Sequence, residues 1–174
     1  MPLLDRKGLK QNPFVRADVV DETAGPNVIV PWANVQDALA AKGKDQQIGV
    51  DLPNNVPYGE VLALADKLAL VTIDFPAFTD GRAFTLARRL RNNGFQGVLR
   101  ARGNLIADQF AYAFACGFDE VEPSEAVFAR QPEEQWLAAA GRITHTYQRN
   151  YGDVGNIMDQ RRAARLAKEQ ADGK

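Results

Sequence analysis

Arg100 and Arg102 stand two residues apart in the segment Gly97-Val98-Leu99-Arg100-Ala101-Arg102-Gly103-Asn104. On a strand, that spacing puts both guanidinium groups on one face. A guanidinium turned into a covered sheet is costly unless it meets an anion or a carboxylate. Gly103 permits close backbone approach, and Asn104 caps a helix whose free N–H groups favour negative charge. The chemistry such a set supports is capture of a small anion such as phosphate, sulfite or a carboxylate. The competing reading pairs both arginines with carboxylates of the same chain, such as Asp74, Asp80 or Glu122.

A second helix start, Thr79-Asp80-Gly81-Arg82, has the same two sides. Arg82 can reach over the strand ends beside Arg102, or Thr79 or Asp80 simply caps the helix, a contribution of about 1 kcal/mol. Asp108 and Gln109 fall in the first turn of the next helix. There Asp108 is favoured by the helix dipole, and Gln109 can hydrogen-bond a ligand or buried backbone. The candidate ligand-binding set is therefore Thr79, Asp80, Gly81, Arg82, Arg100, Arg102, Gly103, Asn104, Asp108 and Gln109. Further polar residues at strand exits are Asp51, Asn54, Asn55, Asp74, Glu120, Glu122 and Ser124. No residue is assigned a catalytic role.

Other chemistries are poorly supplied. The chain has one cysteine, Cys116, and one histidine, His145. It cannot form an intrachain disulfide or hold an iron–sulfur cluster by itself, and it lacks Cys/His zinc spacing. Cys116 closes an apolar helix before Gly117 and reads as buried and inert. His145 reads as a surface residue. No Walker loop or G-x-G-x-x-G follows a strand, so no cofactor is supported by motif. Lys plus Arg total 21 against 22 for Asp plus Glu. That balance argues against a nucleic-acid surface, which needs a strong positive field. No apolar run approaches the ~20 residues of a membrane span, and MPLLDRKGLKQN is no signal peptide. The expected location is the cytoplasm.

The elements that must position these residues follow from periodicity. Strands are expected at Asn27 to Pro31, Gln47 to Leu52, Ala69 to Phe75, Gly97 to Arg102 and Asp119 to Glu122. Phe14 to Val20 could add a short edge strand. Helices are expected at Val35 to Ala41, Gly59 to Leu68, Gly81 to Asn93 and Leu105 to Cys116. Ser124 caps a further helix, and Pro132 opens another. Strands alternating with helices indicate parallel βα units. Five such strands predict a single α/β domain with a parallel, roughly five-stranded sheet flanked by helices, doubly wound and of flavodoxin-like size. The alternative is a half-barrel that pairs with another copy as a homodimer. Residues 1–27 read as an irregular N-terminal arm, 28–151 as the α/β domain, and 152–174 as a polar, basic tail, marginally helical or disordered.

The segments FPAFTDGRAFTLARRLR and GVLRARGNLIADQFAYAFACGFDEVE resemble a bacterial family of unknown function. Its members carry a similar F-P-x-F-T-D-G-R, L-R-A-x-G, D-Q and C-G-F-D series. The resemblance is strongest over 73–122 and weaker over 28–52. It maps onto Phe75, Pro76, Phe78, Thr79, Asp80, Gly81, Arg82, Leu99, Arg100, Ala101, Gly103, Asp108, Gln109, Cys116, Gly117, Phe118 and Asp119. The family is labelled an oxidoreductase of sulfite reduction because it occurs beside sulfite reductase and adenylyl-sulfate reductase. The resemblance thus implies a role in assimilatory sulfite reduction. The protein would be an accessory or binding component that takes a small anion or the reductase itself. Two alternatives are an oxidoreductase using a flavin or nicotinamide, and a non-catalytic structural partner.

Overall fold

The structure is a computed structural model that describes residues 1–21 and 25–140. His145 and the tail 152–174 lie outside the described residues. Eight strands form one sheet: β1 (Leu3–Asp5), β2 (Gly8–Lys10), β3 (Val15–Arg16), β4 (Asn27–Pro31), β5 (Gln47–Leu52), β6 (Leu70–Phe75), β7 (Val98–Gly103) and β8 (Glu120–Pro123). The helices are α1 (Val35–Ala41), α2 (Tyr58–Leu62), α3 (Arg82–Asn92), α4 (Phe110–Ala115), α5 (Glu125–Arg130) and α6 (Glu133–Ala140).

Strand order is β2-β1-β8-β7-β6-β5-β4-β3. From β3 to β8 the pairs are parallel, whereas β1 pairs antiparallel with both β2 and β8. Two sequence expectations are corrected here. The sheet is mixed and eight-stranded rather than parallel and five-stranded, because the N-terminal arm supplies three strands. Those strands are two or three residues long, too short to show a period. The sheet is also not doubly wound. From β3 to β8 spatial order follows chain order, so there is no switch point, and right-handed crossovers then place the connecting helices on one side. The half-barrel alternative is the architecture found.

Why the sheet curls can be read from its connectivity. Its two edge strands, β2 and β3, are consecutive in the chain and joined by residues 11–14. A flat eight-stranded sheet would separate its edges by roughly 34 Å. The link from Lys10 to Val15 can span at most about 18 Å. The sheet must therefore roll up, and it does so around a concave face.

The pleat then sorts the residues. Val28, Val30, Ile48, Val50, Val71, Ile73, Leu99, Ala101 and Val121 belong to the main core, with α1 against β4 and β5, α3 against β6 and α4 against β8. The alternate positions face the concave side in two layers. Buried Leu3 on β1 lies opposite Glu122 in the antiparallel register, and toward the amino ends of the parallel strands lie buried Ile29 and Leu70. Gly49 lets the last two approach, since a Cβ there would sit 3.0 Å from Leu70 Cβ and 3.2 Å from Ile29 Cγ1. Toward the carboxyl ends the layer is polar: Asp51, Thr72, Asp74, Arg100, Arg102, Glu120 and Glu122, neighbours by register.

Most expected elements form where the pattern put them. Two are shorter. The helix expected over 59–68 is α2 followed by a 3-10 turn at Ala65–Lys67, and that expected over 105–116 is a 3-10 turn at Ala107–Gln109 leading into α4. Gly103 ends β7 at φ 114°, where an added Cβ would lie 2.6 Å from the Phe75 carbonyl oxygen. That carbonyl also accepts from the Asn104 N–H at 2.8 Å. Gly103→Ala should therefore destabilise the fold by about 1–3 kcal/mol in urea denaturation. Gly94→Ala also sits at positive φ but has open space around it. It should cost less, about 1 kcal/mol.

Candidate functional site

The polar layer of the concave face is a continuous chain of charges. Arg100 is fully buried. It donates from Nε to Glu120 Oε1 at 2.8 Å, from Nη1 to Glu122 Oε2 at 3.3 Å and from Nη2 to Asn12 Oδ1 at 3.0 Å. Lys10 Nζ donates to the other Glu120 oxygen at 2.9 Å. Arg16 grips Glu122 with both terminal nitrogens, at 2.8 and 2.7 Å. It also holds Asp51 through Nε at 2.8 Å and Nη2 at 3.2 Å. Arg102 Nη1 lies 3.6 Å from Asp51 Oδ2. Positive and negative groups alternate from Lys10 to Asp74, so each buried charge has an opposite neighbour.

Titration follows the same neighbours. Burial pushes the Glu122 carboxyl up, but the hydrogen bonds and charge of Arg16, with Arg100 and Arg102 beside it, outweigh burial and hold it below the usual glutamate range. Burial likewise opposes charge on Arg16, and Glu122 and Asp51 overcome it. Asp74 shifts the other way. Burial raises its carboxyl, Asp51 adds to the rise, and Arg102 only partly offsets them.

At the carboxyl ends of β5, β6 and β7 this chain of charges opens into a cavity of about 160 Å³ lined by Asp51, Leu52, Pro53, Thr72, Asp74 and Arg102. Two polar atoms of these lining residues are buried without a partner: Thr72 Oγ1 and Arg102 Nε. Thr72 is 1% exposed. Asp74 makes no hydrogen bond among the described residues, although it faces the charge of Arg102. Buried polar groups in folded proteins are almost always satisfied, so such exceptions call for an explanation. The cavity offers two donors without acceptors and a carboxyl group biased toward its neutral form. Among the described residues no group of three or more His, Cys, Asp or Glu could hold a metal ion.

The sequence-predicted residues divide between this cavity and its surroundings. Arg102 lines it. Arg100 lies on the same face, one register step toward the amino end, with Glu120, Glu122 and Asn12 taking its hydrogen bonds. Arg82 is exposed and forked onto Asp80, with Nη2 2.6 Å from Oδ2. The same carboxylate accepts from the Arg82 backbone N–H at 3.2 Å and from Asn54 Nδ2 at 3.0 Å. That ties the α3 start to the β5 exit and holds the Asp80 carboxyl far below its ordinary range. Thr79 and Gly81 are exposed in the loop before α3. Gly103 and Asn104 fix the β7 exit: Asn104 donates to the Pro76 carbonyl at 2.8 Å and accepts from Ser124 Oγ at 3.0 Å. Gln109 donates to the Phe78 carbonyl at 2.8 Å, pinning the β6–α3 loop, and Asp108 lies beside it in the 3-10 turn. The buried Cys116 thiol is pushed up by desolvation.

Sequence reasoning passed over Thr72 and Arg16. Thr72 had a signal: it is two residues before Asp74 and so shares its face. Arg16 had none, because only the curl brings β3 opposite β8.

These features define a class: an α/β half-barrel with a charged concave groove and a small polar cavity at the carboxyl ends of its parallel strands. The chain belongs to the family described as "Bacterial protein of unknown function (DUF934)", whose sequence model matches residues 49–157. No curated protein matches it. No helix among the described residues is long and apolar enough to cross a membrane.

The two arginines should separate in mutagenesis. Arg100→Ala takes a buried partner from both Glu120 and Glu122 at once and should cost about 3–5 kcal/mol. Arg102→Ala removes one loose ion pair and should change stability by about 1 kcal/mol or less. Urea denaturation of both variants reads the difference. Because the Glu122 carboxyl is depressed in the folded state, its stabilisation is complete above the unfolded glutamate pKa of about 4.3 and is lost as pH falls further. Arg16→Met should flatten that acid limb of the stability profile.

Proposed function

We propose that the protein binds a small oxyanion at the carboxyl ends of β5, β6 and β7, between Arg102, Thr72 and Asp74. One observation carries this reading: the cavity there is lined by Thr72 and Arg102, whose Oγ1 and Nε are two buried groups able to donate hydrogen bonds that no described residue accepts. A ligand supplying acceptor oxygens would complete both. The size of the cavity, about 160 Å³, suits a ligand of a few non-hydrogen atoms. Sites for drug-sized ligands run to roughly 300–1,000 Å³, so a flavin or nicotinamide ring system fits this cavity poorly.

Sulfite is the oxyanion that the family resemblance suggests. On that reading the protein serves assimilatory sulfite reduction as an accessory or binding component, with sulfite reductase as its partner. The test is a thermal-shift screen of the purified protein against sulfite, sulfate, adenylyl-sulfate, flavins and nicotinamides. A ligand at 100 times its dissociation constant stabilises by about 2.7 kcal/mol. Sulfite should raise the melting temperature by several degrees, and Arg102→Ala should abolish the shift while unfolding normally without ligand. If none of these compounds shifts the wild-type protein, the oxyanion reading fails. A pull-down with sulfite reductase would then test the role of structural partner.

A further inference from the structure

We infer that the cavity takes its ligand as an acid, a small oxyanion together with one proton held between the ligand and Asp74. This rests on the oxyanion reading above and adds to it the protonation state in which the ligand is recognised.

The geometry forces the question. Register places Asp74 directly beside Arg102 on β7, and Thr72 directly beside Asp51 on β5. An acceptor oxygen that reaches both Arg102 Nε and Thr72 Oγ1 therefore enters next to two carboxylates. They are not equivalent. Asp51 is committed to Arg16 through two hydrogen bonds and stands 3.6 Å from Arg102 Nη1. Asp74 has no hydrogen bond among the described residues. The charged groups around it are Asp51 of β5, with Arg16 of β3 behind it, and Arg102 of β7, with Glu122 of β8 behind that. Over the whole groove Lys10, Arg16, Arg100 and Arg102 balance Asp51, Glu120, Glu122 and an ionised Asp74 one for one, so no cation is left over for a new anion beside an ionised Asp74.

When two like charges share a partly buried site, one of them gives up its charge by binding a proton. Asp74 is the group placed to do so, and burial already biases it that way. The proton comes from solvent and sits on an Asp74 oxygen or on the ligand. In either place it turns a repulsive pair into a hydrogen bond. No bond other than this O–H is made or broken.

The probe is methanesulfinate, a sulfite analogue that loses its own proton well below the range used. Its affinity is measured by calorimetry from about pH 5 to about pH 9, in buffers of different ionisation heat. The expected result is uptake of close to one proton per ligand, with affinity falling about tenfold per pH unit once Asp74 is ionised in the free protein. Asp74→Asn keeps the shape and supplies a permanent donor. It should bind with an affinity independent of pH and hold the probe more tightly than wild type at the alkaline end. A wild-type affinity that ignores pH, or an unchanged pH slope in Asp74→Asn, would overturn the inference. If the variant does not fold, proton uptake by the wild-type protein decides alone. Failure of wild type to bind the probe at any pH would overturn the oxyanion reading as well.

Discussion

The guanidinium of Arg16 joins two strands that lie five positions apart in the sheet. Flat, β3 and β8 would be separated by roughly 24 Å, yet Arg16 on β3 reaches Glu122 on β8 at 2.7 Å. The curl that makes this contact is imposed by chain connectivity, because consecutive strands occupy opposite edges. The contact in turn makes the curl tolerable. Rolling the sheet buries Arg100, Glu120 and Glu122, and such burial is affordable only when every charge has a partner of opposite sign. Arg16, Lys10 and Asn12 supply partners from the N-terminal arm, which lies outside the family match over 49–157.

Charge complementarity on the concave face is graded along the strands. At the amino end it is apolar and closed by Ile29 and Leu70. In the middle, Arg100 is saturated by Glu120, Glu122 and Asn12. Saturation fails at Thr72, the register neighbour of Arg100, and at Asp74 and Arg102 one step nearer the carboxyl ends. In a sheet whose order follows the chain, the carboxyl ends are also where the βα loops gather, as in closed α/β barrels. Those loops are fixed by polar contacts: Asp80 ties α3 to the β5 exit through Asn54, Gln109 holds Phe78, and Asn104 links Pro76 to Ser124. The residues that first draw the eye as a site thus divide into one that lines the cavity and several that hold its rim.

Much of this was legible in the residues. The runs at Val28 to Val30, Ile48 to Leu52, Leu70 to Ile73 and Leu99 to Ala101 marked the parallel strands because β-branched and apolar residues recur there over a strand's length. The spacing of Arg100 and Arg102 marked a shared face, and Asp51, Asp74 and Glu122 were recognisable as strand exits. Of the N-terminal strands only β3 was legible, as the short edge strand expected within Phe14 to Val20, whereas β1 and β2 were not. At two or three residues each the N-terminal strands carry no period, and they exist because β8 and β4 offer them an edge to pair with.

The sequence by itself determined the alternation of strands and helices, the core face of each strand and the polar character of the strand exits. Those properties depend on residues near one another in the chain, through side-chain periodicity and turn chemistry. Tertiary structure alone decided the strand order, the curl and the partner of every charge. Those depend on which distant strands become neighbours, and a charge acquires its solvation, its partner and its protonation preference only there. Arg100 and Arg102 are two residues apart and alike in the sequence. One became a buried structural ion-pair centre and the other a wall of the cavity, because Glu120, Asn12 and Arg16 converge on the first part of the groove and leave the second open.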